Sequence, residues 1–346
     1  MKLKRVLSAV DTHTAGSPER VVVSGVPPIP GSNMIEKAKY MRESMDHLRT
    51  LLVHEPRGHG NMYAALIVPP TMPDADVGVL YLEVGGYPTM CGHGTIAICT
   101  VLVETGVVEA REPTTEIALD TPAGLVRARV AVHGGEVESV TIRNVPSFLY
   151  KADVEIDAPG LGRVMVDIAY GGNFCAILPA ETVGLDVVPE STADLISYGA
   201  QIWEAVNEQV VVRHPLEPGI DGVNYVQFYA PAAHPHATAR NAVIAPPTSL
   251  DRSPCGTGTS ARMAALYAKG ELGLNEEFVH ESIVGSRFSA RLVEETQVGE
   301  YTAVVPTITG SAYITGFHQF MLDPRDPFPA GFLLGKQEPY GVGSDS

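Results

Sequence analysis

One unusual segment occurs twice in this chain. CGHGTIAICTVLVETG begins at Cys91 and CGTGTSARMAALYAKG begins at Cys255, so Cys-Gly-x-Gly-Thr-x-Ala recurs 164 residues apart in 346. Both copies close on a glycine, Gly106 and Gly270, the residue that most easily takes the left-handed backbone that stops a helix. A repeat of about half the chain is a duplicated domain and not a solenoid, whose units are ~20–50 residues. The flanks repeat as well. Met34, Ala38, Met41, Met45, Leu48 and Leu52 keep helical spacing and predict one amphipathic helix from Met34 to about Leu52. Leu195, Gly199, Ile202, Trp203 and Val206 do so behind a Ser191-Thr192 cap. Strand-like pieces precede and follow each helix: RVVVSGV, YAALIVPP and VGVLYLEV in one half, RVMVDIAY, FCAIL, VNYVQFYA and NAVIA in the other. The order is strands, helix, strands, cysteine-helix, strands, twice over. The expected boundary lies near Tyr150-Lys151-Ala152-Asp153: residues 1–155 carry Cys91, residues 156–320 carry Cys255, and a segment from about 320 to 346 is expected to pack back on the first domain. The polar last residues are expected to be loose.

Composition narrows the function. A formal charge of −16 argues against a nucleic-acid or anionic-membrane partner, so attraction for an anionic ligand must be local. The apolar start is broken early by Asp11 and His13 and lacks a signal-peptide core, and no run is long enough to span a bilayer; a cytoplasmic location is expected. Cys91, Cys99, Cys175 and Cys255 have unrelated spacings and form no disulfide framework. Cys99 in the first helix and Cys175 in FCAIL read as core.

Cys91 and Cys255 read otherwise. The first amides of a helix lack intrahelical acceptors, and with the helix dipole they favour negative charge. A thiol there is expected to ionise easily, its pKa falling from ~8.5 to roughly 3.5–7.5. The glycines let backbone approach a ligand closely. Two such segments facing across a cleft would hold one carboxylate between two helix N-termini, with a sulfur on each side of the neighbouring carbon. That suits removing a proton from one face and returning one to the other. Other readings fit less well. Cys91-Gly92-His93 suggests a metal, but Thr257 stands where His93 would repeat, and no metal is expected. The glycines also satisfy the dinucleotide fingerprint, yet GGYPTM and PPTSLDRSP separate them from the preceding strands. No Gly-Lys-Ser/Thr follows for a phosphate loop, and the last glycine of a nucleophile elbow is missing. His13, His54 and His59, like His93, lie beside glycines in turn-like stretches, where structural and ligand-contact roles are equally open.

At these residues the chain resembles the proline racemase family, which includes hydroxyproline 2-epimerases and trans-3-hydroxyproline dehydratases. VDTHTAG, IPGSNMIEK, HEPRGHGNM, GGYPTMCGHGTIA, DTPAGLVR, NVPSFLYK, GGNFCAILPAE, DRSPCGTGTSARMA and ITGSAYITGF carry the likeness over nearly the whole chain. The resemblance implies an α/β (α+β) fold: two pseudo-symmetric diaminopimelate epimerase-like domains, each with strands around a central helix, and commonly a homodimer. It implies cofactor-independent catalysis, with Cys91 and Cys255 as acid/base residues. Gly92, His93, Gly256 and Thr257 match positions that hold the substrate carboxylate, and Asp251 matches the acid that meets the ring nitrogen. The substrate implied is a cyclic imino acid, proline or hydroxyproline. Two departures bear on specificity: proline racemases place phenylalanine where this chain has Tyr63 and Ala245, which makes the wall more polar and roomier. Dehydratases of the family keep one of the two cysteines; both are present here, which favours racemisation or epimerisation over the dehydratase alternative. A non-catalytic imino-acid-binding protein is the alternative of another class.

Overall fold

A computed structural model describes residues 5–334. The first half runs β1 (Arg5–Thr14), β2 (Ser17–Ser24), α1 (Met34–Ser44), α2 (Asp46–Val53), β3 (Tyr63–Val68), β4 (Val77–Glu83), α3 (Gly92–Glu104), β5 (Thr114–Thr121), β6 (Gly124–His133) and β7 (Glu136–Arg143). The second runs β8 (Ser147–Ala158), β9 (Gly162–Tyr170), β10 (Phe174–Pro179), α4 (Thr192–Gln209), β11 (Tyr225–Ala230), β12 (Ala239–Ala245), β13 (Ser249–Leu250), α5 (Gly256–Ala268), β14 (Phe278–Ser282), β15 (Arg287–Val298), β16 (Tyr301–Gly310) and β17 (Ala312–Leu322).

Strand pairing repeats with the sequence. In the first half β2–β3 and β4–β5 are parallel, and β3–β4, β5–β6 and β6–β7 antiparallel. In the second half β10–β11 and β12–β14 are parallel, and β11–β12, β14–β15 and β15–β16 antiparallel. The outer strands are exchanged. β8, which the boundary at 155 would cut, pairs along its length with β9, and β17 returns to pair with β1 from Arg5↔Leu322 to Thr14↔Ala312. The two repeats of the strand pattern adjoin at Asn144-Val145-Pro146, between β7 and β8, Ala312–Leu322 lies with the first half, and β16 pairs with both β7 and β8. Further along, Glu55 bridges Phe332 and Arg57 pairs with Asp326. The expected loose tail lies outside the described residues.

Each half wraps strands around one helix. Every residue of α3 from Gly92 to Val103 is buried, as an all-round apolar helix must be; it packs on β1, β2, β7 and β17. In α5 the buried run stretches from Gly256 to Leu266, broken at Arg262, and the helix packs on β8, β9, β10 and β16. Both stop as expected, at Gly106 (φ 73°) and Gly270 (φ 75°).

The helix expected over Met34–Leu52 is two helices. Met45 sits at φ −136°, and α2 starts afresh at Asp46, whose carboxylate takes two bonds from Arg49 at 2.7 and 2.9 Å. Arg49 also donates to the Glu83 and Val84 carbonyls, which ties α2 to the end of β4. At α4, Ser191 holds the N-cap position without a side-chain cap bond; Thr192 instead donates to the Pro189 carbonyl at 2.6 Å. Among the described residues no helix is long and apolar enough to cross a membrane.

Candidate active site

The two cysteines are the N-caps of the two central helices. Cys91 Sγ accepts from the Gly94 amide at 3.4 Å, and Cys255 Sγ from the Gly258 amide at 3.3 Å. Sulfur thus takes the place usually held by a serine or aspartate oxygen. The helices meet end to end: a Cβ built on Gly92 would lie 2.6 Å from Gly256 Cα, and one on Gly256 would lie 2.7 Å from Gly92 Cα. No side chain fits at either position, so the motif keeps glycine there in both copies. The first-turn amides of both helices, which have no intrahelical acceptor, consequently open on one space.

That space is a narrow pocket with a cavity volume of about 10 Å³. Cys91, Gly92 and His93 line it from the first half, and Asp251, Cys255, Gly256 and Thr257 from the second. Tyr63 and Ala245 line it too, so the nine residues expected as acid/base or substrate contacts in the proline racemase-like site come together here. Met90, Tyr225 and Val243 complete the wall. Of these, Tyr225 was within reach of the sequence: it opens β11 as Tyr63 opens β3. His13, His54 and His59 do not line the pocket.

Cys255 is strained where Cys91 is not. Its φ of 58° is uncommon for a residue with a side chain and costs roughly 1–3 kcal/mol. The surroundings hold it there. Its amide donates to Ser253 Oγ at 3.1 Å, and the preceding Pro254 carbonyl accepts from Asn241 Nδ2 and Thr259 Oγ1. Asp251, on the same loop, accepts from the Ser253 amide at 2.8 Å and from Ser17 Oγ.

Electrostatics depart from the sequence expectation of easily ionised thiols. Burial pushes Cys91 up, opposed by His93 and by the Gly94 amide. Burial, Asp251 and Cys175 push Cys255 further, opposed by Thr257 and the Gly258 amide. The helix N-termini favour charge, but they lie in the interior, and loss of water outweighs them. Cys99 and Cys175 are fully buried; burial raises both, Cys175 to about 12. Cys175 packs in the same apolar cluster as Cys255.

The surroundings of His93 were not legible in sequence. Its Nδ1 lies 3.4 Å from Cys91 Sγ and 3.7 Å from Asp251 Oδ2, and its Nε2 lies 3.3 Å from Glu19 Oε2. Burial works against a charged ring, but Cys91, Asp251 and Glu19 together raise it well above the usual histidine range. Burial likewise raises the Glu19 carboxyl. Among the described residues, Glu19, Cys91 and His93 alone bring three metal-capable atoms within 4.8 Å of one another. Each is already engaged with the next at hydrogen-bonding or ion-pair distance, the arrangement of a proton-sharing group. A second buried carboxyl, Glu83, is pushed by burial to about 7 and accepts from Tyr225 Oη at 3.3 Å.

On the opposite wall a chain of hydroxyls has a fixed direction. The Leu250 amide donates to Asn61 Oδ1, so that atom is the acceptor for Ser249 Oγ at 2.6 Å. Ser249 has thereby spent its proton, and Tyr63 Oη, 3.2 Å away, donates to it. Tyr63 is left with lone pairs to offer, and its ring stands edge-on to His93 at 4.7 Å.

Comparison with known proteins gives the chain its relatives. A 4-hydroxyproline 2-epimerase of Streptosporangium roseum is 56% identical over 334 residues, 96% of this chain and 100% of that protein. A proline racemase of Clostridioides difficile is 47% identical with the same coverage. A trans-3-hydroxy-L-proline dehydratase of Bacillus cereus is 44% identical over 97% of this chain and 100% of its own. The crystal structure of a hydroxyproline epimerase from Agrobacterium vitis with bound trans-4-hydroxy-L-proline superposes with a TM-score of 0.92 at 36% identity, covering 96% of this chain and 97% of that one. The proline racemase family model matches residues 9–333, and the chain belongs to that family.

Proposed function

We propose that this protein inverts the α carbon of free proline or hydroxyproline by a two-base proton transfer between Cys91 and Cys255, without a cofactor. One observation carries the reading: two N-cap sulfurs, from duplicated helices that touch at Gly92 and Gly256, line a single buried pocket. The substrate carboxylate accepts from the first-turn amides of Gly92, His93, Gly256 and Thr257, where both helix dipoles favour it. Asp251 meets the ring nitrogen. A thiolate at one cysteine takes the α proton, and the charge passes into the carboxylate held by those amides. The other cysteine, as thiol, delivers its proton to the opposite face. The protein finishes with the proton on the first sulfur and the charge on the second, so one cysteine must start protonated and the other ionised.

The test is an assay panel of L- and D-proline and the trans-4-, cis-4- and trans-3-hydroxyprolines in deuterated water. Inversion with deuterium at the α carbon, lost in Cys91→Ser and in Cys255→Ser, is the expected result. A serine hydroxyl is too weak a base to replace either sulfur. Inversion surviving in either variant overturns the two-base reading. Release of a pyrroline from trans-3-hydroxyproline alone points to dehydration, and binding without isotope exchange points to a non-catalytic protein.

A further inference from the structure

The duplication supplies an internal control for each residue of the pocket. β3 and β11 open with Tyr63 and Tyr225, and their next residues pair with Arg20 and Ala176. Glu19 therefore holds, in the first half, the place of Cys175 in the second. By the same correspondence His93 holds the place of Thr257. Around Cys91 the fold sets a carboxylate and an imidazole, and around Cys255 a thiol and a hydroxyl.

We infer that Glu19 is a positioning residue which, through His93, makes Cys91 the more readily ionised of the pair and leaves Cys255 the one that holds its proton. The inference rests on the reading of both cysteines as the acid/base pair. Glu19 is 1% exposed, and neither carboxylate oxygen has a well-aligned hydrogen bond among the described residues. Its near counter-charge is His93 Nε2 at 3.3 Å. A buried carboxylate with no other partner is costly unless that nitrogen carries a proton. With Nε2 protonated, Nδ1 is the ring's acceptor, and it faces Cys91 Sγ at 3.4 Å. Transfer of the Cys91 proton to Nδ1 yields a thiolate beside an imidazolium whose two N–H groups point at Cys91 and Glu19. The carboxylate also sits against the first turn of α3: a Cβ on Gly94 would lie 2.9 Å from Glu19 Oε2. Cys255 has no such route, because Thr257 Oγ1, 3.4 Å from its sulfur, cannot hold a transferred proton.

Other groups face this cluster. Asp251 reaches His93 from the loop before α5, Tyr63 stands edge-on from β3, Glu83 acts from the end of β4, and the charge of Asp11, held by Arg20 on the other face of β1 and β2, acts on Glu19 at a distance. All remain when Glu19 alone is changed.

The test uses iodoacetamide alkylation of the full-length protein as a function of pH, with each cysteine followed by peptide mass. This reads the thiolate directly and needs no turnover, so it stands apart from the test of the proposed function. Cys91 is expected to react faster than Cys255 in the wild type near neutral pH. Glu19→Gln should move the Cys91 profile to higher pH and leave the Cys255 profile in place; if the Cys91 midpoint rises by about one pH unit, its alkylation at pH 7 slows about tenfold. Glu19→Asp, which keeps the charge, should recover part of the rate. Cys255 reacting first in the wild type overturns the inference, as does an unchanged Cys91 profile in Glu19→Gln. If Glu19→Gln does not fold, the wild-type order and Glu19→Asp decide: Cys91 must still react first in both.

Discussion

Replacing Gly92 or Gly256 by alanine tests whether the contact between helix starts sets the chemistry. The added Cβ would stand 2.6 or 2.7 Å from the opposite Cα, whereas carbon–carbon contacts settle at ~3.5–4.0 Å. The two backbones must therefore part by about 1 Å. Overpacking of this kind costs roughly 1–3 kcal/mol. Its effect on turnover should be larger, because all four first-turn amides and both sulfurs move with the helices. A displacement of about 1 Å at a reacting centre costs on the order of 100-fold, and that is the expected loss in kcat/KM for each variant. Gly106→Ala is the control. Gly106 has φ 73°, and nothing lies within 4 Å of a Cβ there. Alanine in that left-handed conformation costs roughly 1–2 kcal/mol without moving the start of α3. Thermal midpoints and kcat/KM for the three variants should show similar stability losses and a large activity loss only for Gly92→Ala and Gly256→Ala. If Gly106→Ala loses as much activity as they do, stability accounts for everything and the geometric reasoning fails.

Tyr63→Phe should move the kcat/KM ratio of trans-4-hydroxyproline to proline toward proline by about 1 kcal/mol, because it removes the lone pairs that Tyr63 offers once its proton is given to Ser249. Ala245→Phe should push the same way by filling the wall, and an unchanged ratio in both variants removes these residues from specificity. Cys99→Ser and Cys175→Ser should retain turnover, checked by initial rates, since neither lines the pocket. Glu83 predicts a pH-dependent stability. Its carboxyl sits near 7 in the fold against an ordinary 4.5, so the folded state binds the extra proton between those values. The stability this contributes is complete below pH 4.5 and lost as pH rises through 7, in all about 3 kcal/mol at ~1.4 per pH unit. Urea midpoints between pH 4.5 and 8 should therefore fall less steeply in Glu83→Gln than in the wild type; parallel slopes would refute the assignment.

Much of the site was legible because its chemistry is local to the repeated segment. An N-cap sulfur and a glycine that touches its own duplicate are both written within a few residues, and they recur. Glu19 was not legible. In SPERVVVS it reads as a charged residue on a strand, and only the packing of β2 against α3 buries it beside His93. The lowered thiol pKa was a correct local argument defeated by a non-local fact, since both helix N-termini lie in the interior. The helix break at Met45 was hidden because Met34, Met41, Leu48 and Leu52 all reach one apolar cluster with β3 and β4, so the spacing reads straight through it. The boundary expected at 155 falls inside a strand for a similar reason. β8 looks like the end of the first half, but its partner is β9, and β17 takes the corresponding place beside β1.

A duplicated fold supplies two equivalent bases, yet inversion at carbon needs unlike protonation on the two faces. The divergence between halves falls where it can supply that difference. Glu19 and His93 of one half answer to Cys175 and Thr257 of the other, and the strained φ of 58° occurs at Cys255 alone of the two cysteines. The wall diverges too. Tyr63 pairs with Glu83 across β3–β4, and the matching pair across β11–β12 is Tyr225 with Ala245. Glu83 is thereby the counterpart of the small residue at 245, and its carboxyl engages Tyr225 from the other half. A substrate whose α carbon sits between the sulfurs meets near-equivalent backbone on both sides but unequal side chains around its ring. An unsubstituted ring gains little from such a wall. A ring bearing a hydroxyl on one face presents an asymmetry that such a wall can read, so the kcat/KM ratio of hydroxyproline to proline is the quantity in which the divergence between halves should appear.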